Sequence, residues 1–355
     1  MSVSPANALL ATIRRLTSGD AADPAELTAA FDVVLKGDAT PVQVAALLVG
    51  LRVRGETPQE LAAVVRAFHN AMVVLPAERP DELVDTCGTG GGTINTFNIS
   101  TAAALLVAGA GLRVAKHGNR SFTTQCGSAD VLEALGVVIE APVEVMSAAL
   151  RDAGIVFMFA PLMHPAIRHV APVRRELGVH TVMNMVGPLA NPARAGRQVV
   201  GVSDARRLPL IAGALRELDT VHALVVHGDG MDEISPFAPT EVFEIRDGAI
   251  STWTIDPARY GPTGGDVAAI AGGPPAHNAG VVLATLNGQA NSVCTAAVVL
   301  NAAAAFYVGG SVETFDEGVD AAREAMRAGS GLRALERLRR AFAPPSWTAR
   351  GEQHR

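Results

Sequence analysis

Residues 84–120 read VDTCGTGGGTINTFNISTAAALLVAGAGLRVAKHGNR. A short apolar run at 83–84 predicts a strand, a glycine-rich loop follows at 88–92, and an alanine-rich helix comes next. A second predicted strand at 112–115 leads into Lys116 and Arg120. Glycines let a backbone approach a ligand closely, and free N–H groups at a helix start attract anions. This stretch therefore predicts a pocket for a phosphorylated substrate.

The same alternation of strands and helices continues along the chain and predicts an α/β fold with a mostly parallel central sheet flanked by helices. Asp247-Gly248 separates two later strands and predicts one antiparallel hairpin. The predicted strands are 83–85, 112–115, 137–139, 155–159, 199–202, 224–227, 241–246 and 249–255. The predicted helices include 129–135, 143–153, 207–218, 279–286, 292–308, 315–328 and 332–342.

The first 75 residues predict a small all-helical domain. Asp23-Pro24, Thr40-Pro41 and Thr57-Pro58 each place a cap residue before a proline, with an acid or amide two residues later, which is typical of helix starts. Four short helices form a core that is marginal alone, so we expect them to pack on the main domain, on a second subunit, or on both.

The segment 164–191 breaks the alternation and predicts two helices, 166–177 and 179–185. We expect it to join the N-terminal helices and form one wall of a cleft. The predicted division is therefore discontinuous: 1–75 with 165–190 as the helical domain, 76–164 with 191–343 as the α/β domain, and 344–355 as a disordered tail.

Charge and cysteine content exclude several classes of protein. The net charge of −6 over 355 residues argues against nucleic-acid binding by bulk electrostatics. Three cysteines without C-x-x-C spacing favour a reduced cytoplasmic protein and no structural zinc. The first residues lack a signal-peptide pattern, and the apolar runs at 101–110 and 295–308 are shorter than the roughly 20 residues that span a bilayer. No membrane contact is expected.

The glycine loop alone is weak evidence for a ligand, because it matches neither G-x-x-x-x-G-K-[ST] nor G-x-G-x-x-G. A tight turn is an equally good interpretation. The cluster of Thr96, Asn98, Ser100 and Thr101 favours a binding role, because four polar side chains exceed what one helix cap needs. The Ser100 hydroxyl can also reach a phosphate-bound Mg²⁺.

Charged residues follow two of the predicted strands. Lys116 and Arg120 lie at a strand end, where open α/β sheets bind ligands, although a solvated loop is the alternative. Asp232 and Glu233 follow the strand at 224–227; neighbouring acids are usually solvated, but a magnesium–phosphate pocket needs such oxygen ligands. A glycosidase pair needs carboxyls about 5 Å or more apart across a sugar, which sequence neighbours do not naturally supply. One arginine of Arg174-Arg175 could bind a carboxylate bidentately.

Taken together, these motifs make the chain from residue 9 to 342 resemble the anthranilate phosphoribosyltransferase family. The resemblance also rests on Gly127-Ser128-Ala129-Asp130, His164-Pro165-Ala166, Gly187-Pro188-Leu189 and the run at 51–57. It implies an enzyme that transfers phosphoribosyl from 5-phosphoribosyl 1-diphosphate to anthranilate in tryptophan biosynthesis. It also implies Mg²⁺ and a homodimer joined through the helical domains.

The resemblance implies site residues by position, none of them an acid–base catalyst. Anthranilate would contact Gly88, His117, Asn119, Arg174 and Pro188, and Ser100, Asp232 and Glu233 would hold the metal. Many family members have Asp where this chain has Gly92. The implied phosphoribosyl diphosphate site comprises Gly88, Gly91, Gly92, Thr96, Asn98, Ile99, Ser100, Thr101, Lys116, His117, Gly118, Asn119, Arg120, Ser121, Phe122, Thr123, Thr124 and Ser128.

Two alternatives share this fold. A pyrimidine nucleoside phosphorylase has similar Lys-x-Gly-x-Arg and Gly-Ser-Ala-Asp text, but Asn119 and Asp232-Glu233 favour the phosphoribosyltransferase. A non-enzymatic nucleic-acid-binding relative predicts a basic surface, which the net charge of −6 opposes.

Overall fold

The computed structural model describes residues 5–121, 124–261 and 266–343. Phe122, Thr123 and the predicted tail at 344–355 lie outside the described residues. The chain begins with four helices: α1 Pro5–Thr17, α2 Pro24–Lys36, α3 Pro41–Arg54 and α4 Pro58–Ala71.

The three predicted helix starts are confirmed by their cap hydrogen bonds. The Asp23 side chain accepts from the N–H groups of Ala25 and Glu26. Thr40 and Thr57 each form a reciprocal capping box with the residue three positions on. These caps satisfy backbone donors that have no partner inside the helix.

A seven-stranded sheet forms the centre of the α/β part, as predicted. Its strand order is β3-β2-β1-β4-β5-β6-β7; β1 to β5 are parallel, and β6 and β7 are antiparallel. The chain moves outward in one direction from β1 to β3 and in the other from β4 to β7. The boundary between β1 and β4 is therefore the topological switch point, where such sheets bind ligands. The strands are β1 Val84–Gly88, β2 Val114–Gly118, β3 Ile155–Phe159, β4 Arg197–Gly201, β5 His222–His227, β6 Thr240–Arg246 and β7 Ala249–Ile255.

Helices cover both faces of the sheet and build two buried apolar clusters. One cluster includes α5, which packs against α13 and α15; the other includes α1 to α4 and α11, with α4 packed on α11. The N-terminal helices thus share a core with one face of the sheet. The helices after α4 are α5 Ile99–Gly109, α6 Ser128–Ala134, α7 Val143–Ala153, α8 Ala160–Met163, α9 Ala171–Leu177, α10 Met183–Leu189, α11 Leu208–Glu217, α12 Pro275–Leu286, α13 Ser292–Val308, α14 Phe315–Arg327 and α15 Ser330–Ala341.

The segment between β3 and β4 contacts the N-terminal helices. A 3-10 turn at Pro165–His169 contacts α2, α9 contacts α3, and α10 contacts α4. The predicted second helix was placed too early. The helix α9 ends at Leu177, it is followed by Gly178 with a left-handed φ of +63°, and α10 begins only at Met183. Left-handed glycine is a common helix stop, and it separates the two helices here.

The predicted strand at 137–139 is wrong. Val137 and Ile139 are buried in the core, but this segment joins no strand of the described sheet. The Val137 N–H instead donates to Leu132 O at 2.9 Å, at the end of α6. Buried and less buried residues alternate here because the segment is a connection that lies against the core. It does not pair with a strand of the described sheet. Among the described residues, no helix is both long and apolar enough to cross a membrane.

Candidate active site

Two glycines at the switch point let the acidic loop cross the ends of β1 and β4. Gly88 and Gly201 are paired in the register of these strands. A Cβ built on Gly201 would lie 1.7 Å from the Asp232 carbonyl oxygen, and one on Gly88 would lie 2.3 Å from Asp232 Oδ2. The strand ends are therefore shaped to receive the carboxylates that follow β5.

The two neighbouring acids point toward the glycine loop and the start of α5. Asp232 Oδ2 accepts from Gly90 N at 2.8 Å, and Glu233 Oε1 accepts from Ser100 N at 3.1 Å. Loss of solvent raises the pKa of Asp232. Loss of solvent and then the nearby Asp232 charge raise the pKa of Glu233 well above its usual range. Two crowded carboxylates of this kind are stabilised by a cation.

A small cavity of about 10 Å³ adjoins these acids, which is space for about one water-sized group. Thr86, Ser100 and Asn301 line it together with both carboxylates. Apolar and small residues complete the lining, and no three His, Cys, Asp or Glu side chains form a metal-binding cluster among the described residues. The two carboxylates match the usual donors of Mg²⁺, which is held by one or two carboxylates together with substrate phosphates.

Lys116 extends beneath the same site. It is buried in the middle of β2, and its Nζ donates to the Thr86 carbonyl oxygen and lies 3.4 Å from Ser100 Oγ. The lysine and the serine predicted to meet the diphosphate and the metal are therefore brought together.

The glycine loop continues this side of the cleft. Gly90 and Gly91 have positive φ angles of 68° and 78°. Thr89 N donates to Gly201 O at 2.9 Å, which ties the loop to β4. A Cβ at Gly92 would lie 3.0 Å from Gly230 O, so this position is close to the loop that precedes the acids.

The polar residues predicted as one cluster before α5 have different surroundings in the structure. Ser100 faces the acids, whereas Asn98 Oδ1 accepts from Asn278 Nδ2 at 3.0 Å and from Cys126 Sγ at 3.3 Å. Thr96 forms an isolated bridge with Ala271. Ile99 and Thr101 are buried in the first turn of α5, and the Thr101 hydroxyl has no partner among the described residues.

Arg120 uses its charge within the protein. Its guanidinium contacts Asp130 Oδ1 at 2.9 Å and Glu133 Oε1 at 3.0 Å. The loop after it is also internally bonded: Ser121 Oγ and Thr124 Oγ1 are 2.6 Å apart. Ser128 Oγ, next to Gly118, donates to Asn119 O at 3.3 Å. Lys116 therefore lies close to Ser100, which is hydrogen-bonded to Glu233. Arg120 instead stabilises the loop that follows β2.

Two buried histidines, His117 in β2 and His164 after α8, lie close together. His117 Nδ1 donates to Gly187 O at 3.1 Å, next to Pro188 in α10, and its ring centroid is 5.0 Å from that of His164. Burial lowers the pKa of His117 to about 3 and that of His164 to about 4. Both rings are therefore neutral, and His117 Nε2 is a buried acceptor without a partner among the described residues.

Arg174, on α9, is a half-buried cation. Its guanidinium makes no ion pair or hydrogen bond within the described parts of the chain, and burial lowers its pKa. A partly enclosed and unpaired guanidinium is suited to a carboxylate ligand. Asn119, at the end of β2, has its Oδ1 bonded to Arg120 N at 2.8 Å.

Sequence reasoning missed the groups that brace these residues. Asn191 Nδ2 donates to the buried Asp85 Oδ2 at 2.7 Å and to Ala115 O at 2.9 Å, and His117 N donates to Asp85 Oδ1 at 3.3 Å. The link joins β1, β2 and the end of α10 across more than 100 residues, so no local pattern indicates it. His164 lies in a quoted motif, but nothing in its spacing indicates that it stacks near His117.

Known proteins resemble this chain over nearly its whole length. Family models described as "Glycosyl transferase family, a/b domain" and "Glycosyl transferase family, helical bundle domain" match residues 80–332 and 11–72. Anthranilate phosphoribosyltransferase of Chloroflexus aggregans is 45% identical over 354 residues, covering 99% of this chain and 100% of that protein. The Caulobacter vibrioides enzyme is 45% identical, covering 92% of this chain and 95% of that protein.

Solved structures of the same enzyme share the fold. That of Thermus thermophilus is 40% identical, with a TM-score of 0.88, and covers 93% of this chain and 99% of its own. The Saccharomyces cerevisiae enzyme in complex with PRPP and Mg is 26% identical, with a TM-score of 0.85, over 94% and 97%. The resemblance stated from the motifs is confirmed: the chain belongs to the anthranilate phosphoribosyltransferase family.

Proposed function

We propose that this protein transfers the phosphoribosyl group of 5-phosphoribosyl 1-diphosphate to the amine of anthranilate and releases diphosphate, a step of tryptophan biosynthesis. Two sets of residues support the proposal, and the set at the switch point carries it. One half combines Asp232, Glu233 and Lys116 with a glycine loop at the switch point. We assign the acceptor half to Arg174, whose side chain has no partner among the described residues, and to the neutral His117.

The donor half binds the leaving group. Ser100, Asp232 and Glu233 are the residues that would hold Mg²⁺. The yeast relative in complex with PRPP and Mg supports the use of this cation. Bound Mg²⁺ neutralises negative charge on the diphosphate. Lys116 and the N–H groups of the glycine loop and of the α5 start stabilise the charge that develops as the bond to ribose C1 breaks.

The acceptor half orients anthranilate. Arg174 binds its carboxylate, and Asn119 and Pro188 line its approach. The amine is a neutral nucleophile and needs no strong base, so the main task of the protein is to align it with C1. His117 also lines this approach, and burial lowers its pKa to about 3, so its neutral ring does not remove a proton from the amine.

We also propose a homodimer joined through the helical domain, made of residues 1–75 and 165–190. Apolar side chains on α1 and α3 support this surface: Val42 is 78% and Val53 82% exposed, and Leu10 is 41% exposed.

The free thiols of Cys87, Cys126 and Cys294 support a reducing, cytoplasmic location.

A fluorescence assay tests the proposed reaction. Purified protein is mixed with 5-phosphoribosyl 1-diphosphate, Mg²⁺ and anthranilate, and the loss of anthranilate fluorescence is followed. Arg174→Ala should raise KM for anthranilate roughly 10- to 100-fold, because a charge-assisted hydrogen bond contributes about 1.5–3 kcal/mol. Arg175→Ala is the matched control, because this neighbouring side chain is exposed.

Each outcome has a defined meaning. Folded wild-type protein that leaves anthranilate fluorescence unchanged would reject the proposed reaction. Equal KM values for Arg174→Ala and wild type would remove Arg174 from the acceptor half. Phosphorolysis of thymidine or uridine by the same preparation would instead favour a nucleoside phosphorylase.

A further inference from the structure

His227, the last residue of β5, uses both ring nitrogens for hydrogen bonds to backbone. Its Nδ1 lies 2.7 Å from Val202 O, and its Nε2 lies 3.2 Å from Gly230 N. Since a carbonyl oxygen only accepts and an N–H only donates, Nδ1 carries the proton and Nε2 accepts. The ring is therefore held in one tautomer between the end of β4 and the loop that follows β5.

That loop is a tight turn at residues 228–231. Its two central residues, Asp229 and Gly230, have positive φ angles of 52° and 85°, and Gly228 and Met231 exchange backbone hydrogen bonds of 3.2 Å. Two successive left-handed residues are typical of a type I′ turn. Within the described residues, the N–H of Gly230 has His227 Nε2 as its acceptor.

The turn is joined to the glycine loop on both sides. Gly230 O accepts from Thr93 N at 3.0 Å and lies 3.3 Å from Thr93 Oγ1. Immediately after the turn, Asp232 accepts from Gly90 N at 2.8 Å. The Asp232 carbonyl also lies against Gly201 so closely that a Cβ there would be 1.7 Å away. A displaced turn would therefore move the glycine loop and the Asp232 carboxylate together.

We propose that His227 is a positioning residue for the donor half: its imidazole holds the 228–231 turn, and the turn sets the glycine loop and Asp232 in the arrangement that receives Mg²⁺ and diphosphate. The inference rests on the proposed function. His227 itself contacts backbone, and its effect on the ligand is exerted through the turn.

Two amide substitutions separate the two bonds of His227. In His227→Asn, the amide lies near the position of Nδ1, so it can donate to Val202 O but does not reach Gly230. In His227→Gln, the amide lies near the position of Nε2, so its oxygen can accept from Gly230 N while the bond to Val202 is lost. The two variants therefore lose opposite hydrogen bonds, and only His227→Asn loses the bond to Gly230 on which the proposal rests.

We expect His227→Asn to raise KM for 5-phosphoribosyl 1-diphosphate and the Mg²⁺ concentration for half-maximal rate about five- to tenfold. His227→Gln should keep both values within about twofold of wild type, because it retains the hydrogen bond from Gly230 N. KM for anthranilate should stay nearly constant in both variants. Equal effects of the two variants, or a lower melting temperature with unchanged KM values, would overturn the inference.

Calorimetric titration of the same three proteins with 5-phosphoribosyl 1-diphosphate and Mg²⁺ separates this inference from the proposed reaction. If wild type binds the ligand but consumes no anthranilate, the proposed reaction fails, and the affinities of the Asn and Gln variants still decide the role of His227. If wild type does not bind the ligand, the donor half and the inference fail together.

Discussion

Glu233 is the residue whose protonation couples most directly to stability. In the folded protein without metal, loss of solvent and the nearby Asp232 raise its pKa from the ordinary 4.5 to about 8. Between these two values the folded protein holds a proton that the unfolded chain has released. The contribution of Glu233 to stability therefore falls as the pH rises from about 5 to about 8. The buried neutral rings of His117 and His164 act in the opposite sense below about pH 6.5, because the unfolded chain binds protons that they do not. We therefore expect the melting temperature without Mg²⁺ to fall between about pH 6.5 and pH 8.

Glu233→Gln provides the control, because its side chain cannot ionise and should flatten that pH dependence. Mg²⁺ should restore most of the lost stability near pH 8, because the cation binds the ionised carboxylate. Thermal melts from pH 5 to pH 8, with and without Mg²⁺, measure both effects. Identical pH dependence in wild type and Glu233→Gln would contradict the assignment.

For single residues, the sequence predicted which side chains meet at the strand ends better than it predicted their hydrogen-bond partners elsewhere. The order of motifs along the strands correctly indicated that Ser100, Lys116 and Glu233 meet, because parallel strands end at one edge. It could not indicate that Asn98 bonds Asn278, because the two are 180 residues apart. Nor could it distinguish the braced Arg120 from the unpaired Arg174, since pairing depends on the helices packed nearby.

At the element scale, the end of β4 offers a test of how closely the acidic loop crosses the sheet. Gly201→Ala would place a Cβ 1.7 Å from a backbone oxygen, so the loop carrying Asp232 must move. We expect a loss of roughly 1–3 kcal/mol in the free energy of unfolding, typical of overpacking. We also expect at least a tenfold loss of activity in the fluorescence assay, because the carboxylate moves with its backbone.

Gly280→Ala is the matched control on α12. No heavy atom lies within 4 Å of a Cβ built there, and the residue lies inside a helix. Alanine favours helix over glycine, so this variant should gain about 0.5–1 kcal/mol. Urea denaturation measures both variants. A Gly201→Ala protein as stable and active as wild type would contradict the close approach.

Helix starts were predictable because their chemistry is local. Thr40 and Thr57 bond residues only three positions away, so the sequence contains the whole capping box. The sequence predicted a strand at 137–139 that the structure lacks. Strand pairing depends on a distant partner, and apolar alternation occurs equally in a buried connection. The start of α10 was missed because apolar residues after Gly178 continue a helical pattern that the left-handed glycine interrupts.

At the scale of the whole molecule, the exposed face of α3 tests the proposed dimer. Val53→Glu places a charge on a side chain that is 82% exposed in one chain, and burial of that charge between subunits is unfavourable. We expect sedimentation velocity to show a dimer for wild type and a shift toward monomer for Val53→Glu. Leu283→Glu, on α12, is the control and should leave the dimer intact. Wild-type protein that sediments as a monomer would contradict the proposal.

The residues of the donor half form hydrogen bonds with one another and with their neighbours. Lys116 donates to Thr86, Asn98 bonds Asn278, Asp232 accepts from Gly90, and Glu233 accepts from Ser100. Any incoming anion must exchange with these bonds, and each exchange alone has little net enthalpy. A ribosyl diphosphate offers more acceptor oxygens than inorganic phosphate, so it can compensate for more of these bonds at once. We therefore expect inorganic phosphate to bind this site more weakly than 5-phosphoribosyl 1-diphosphate.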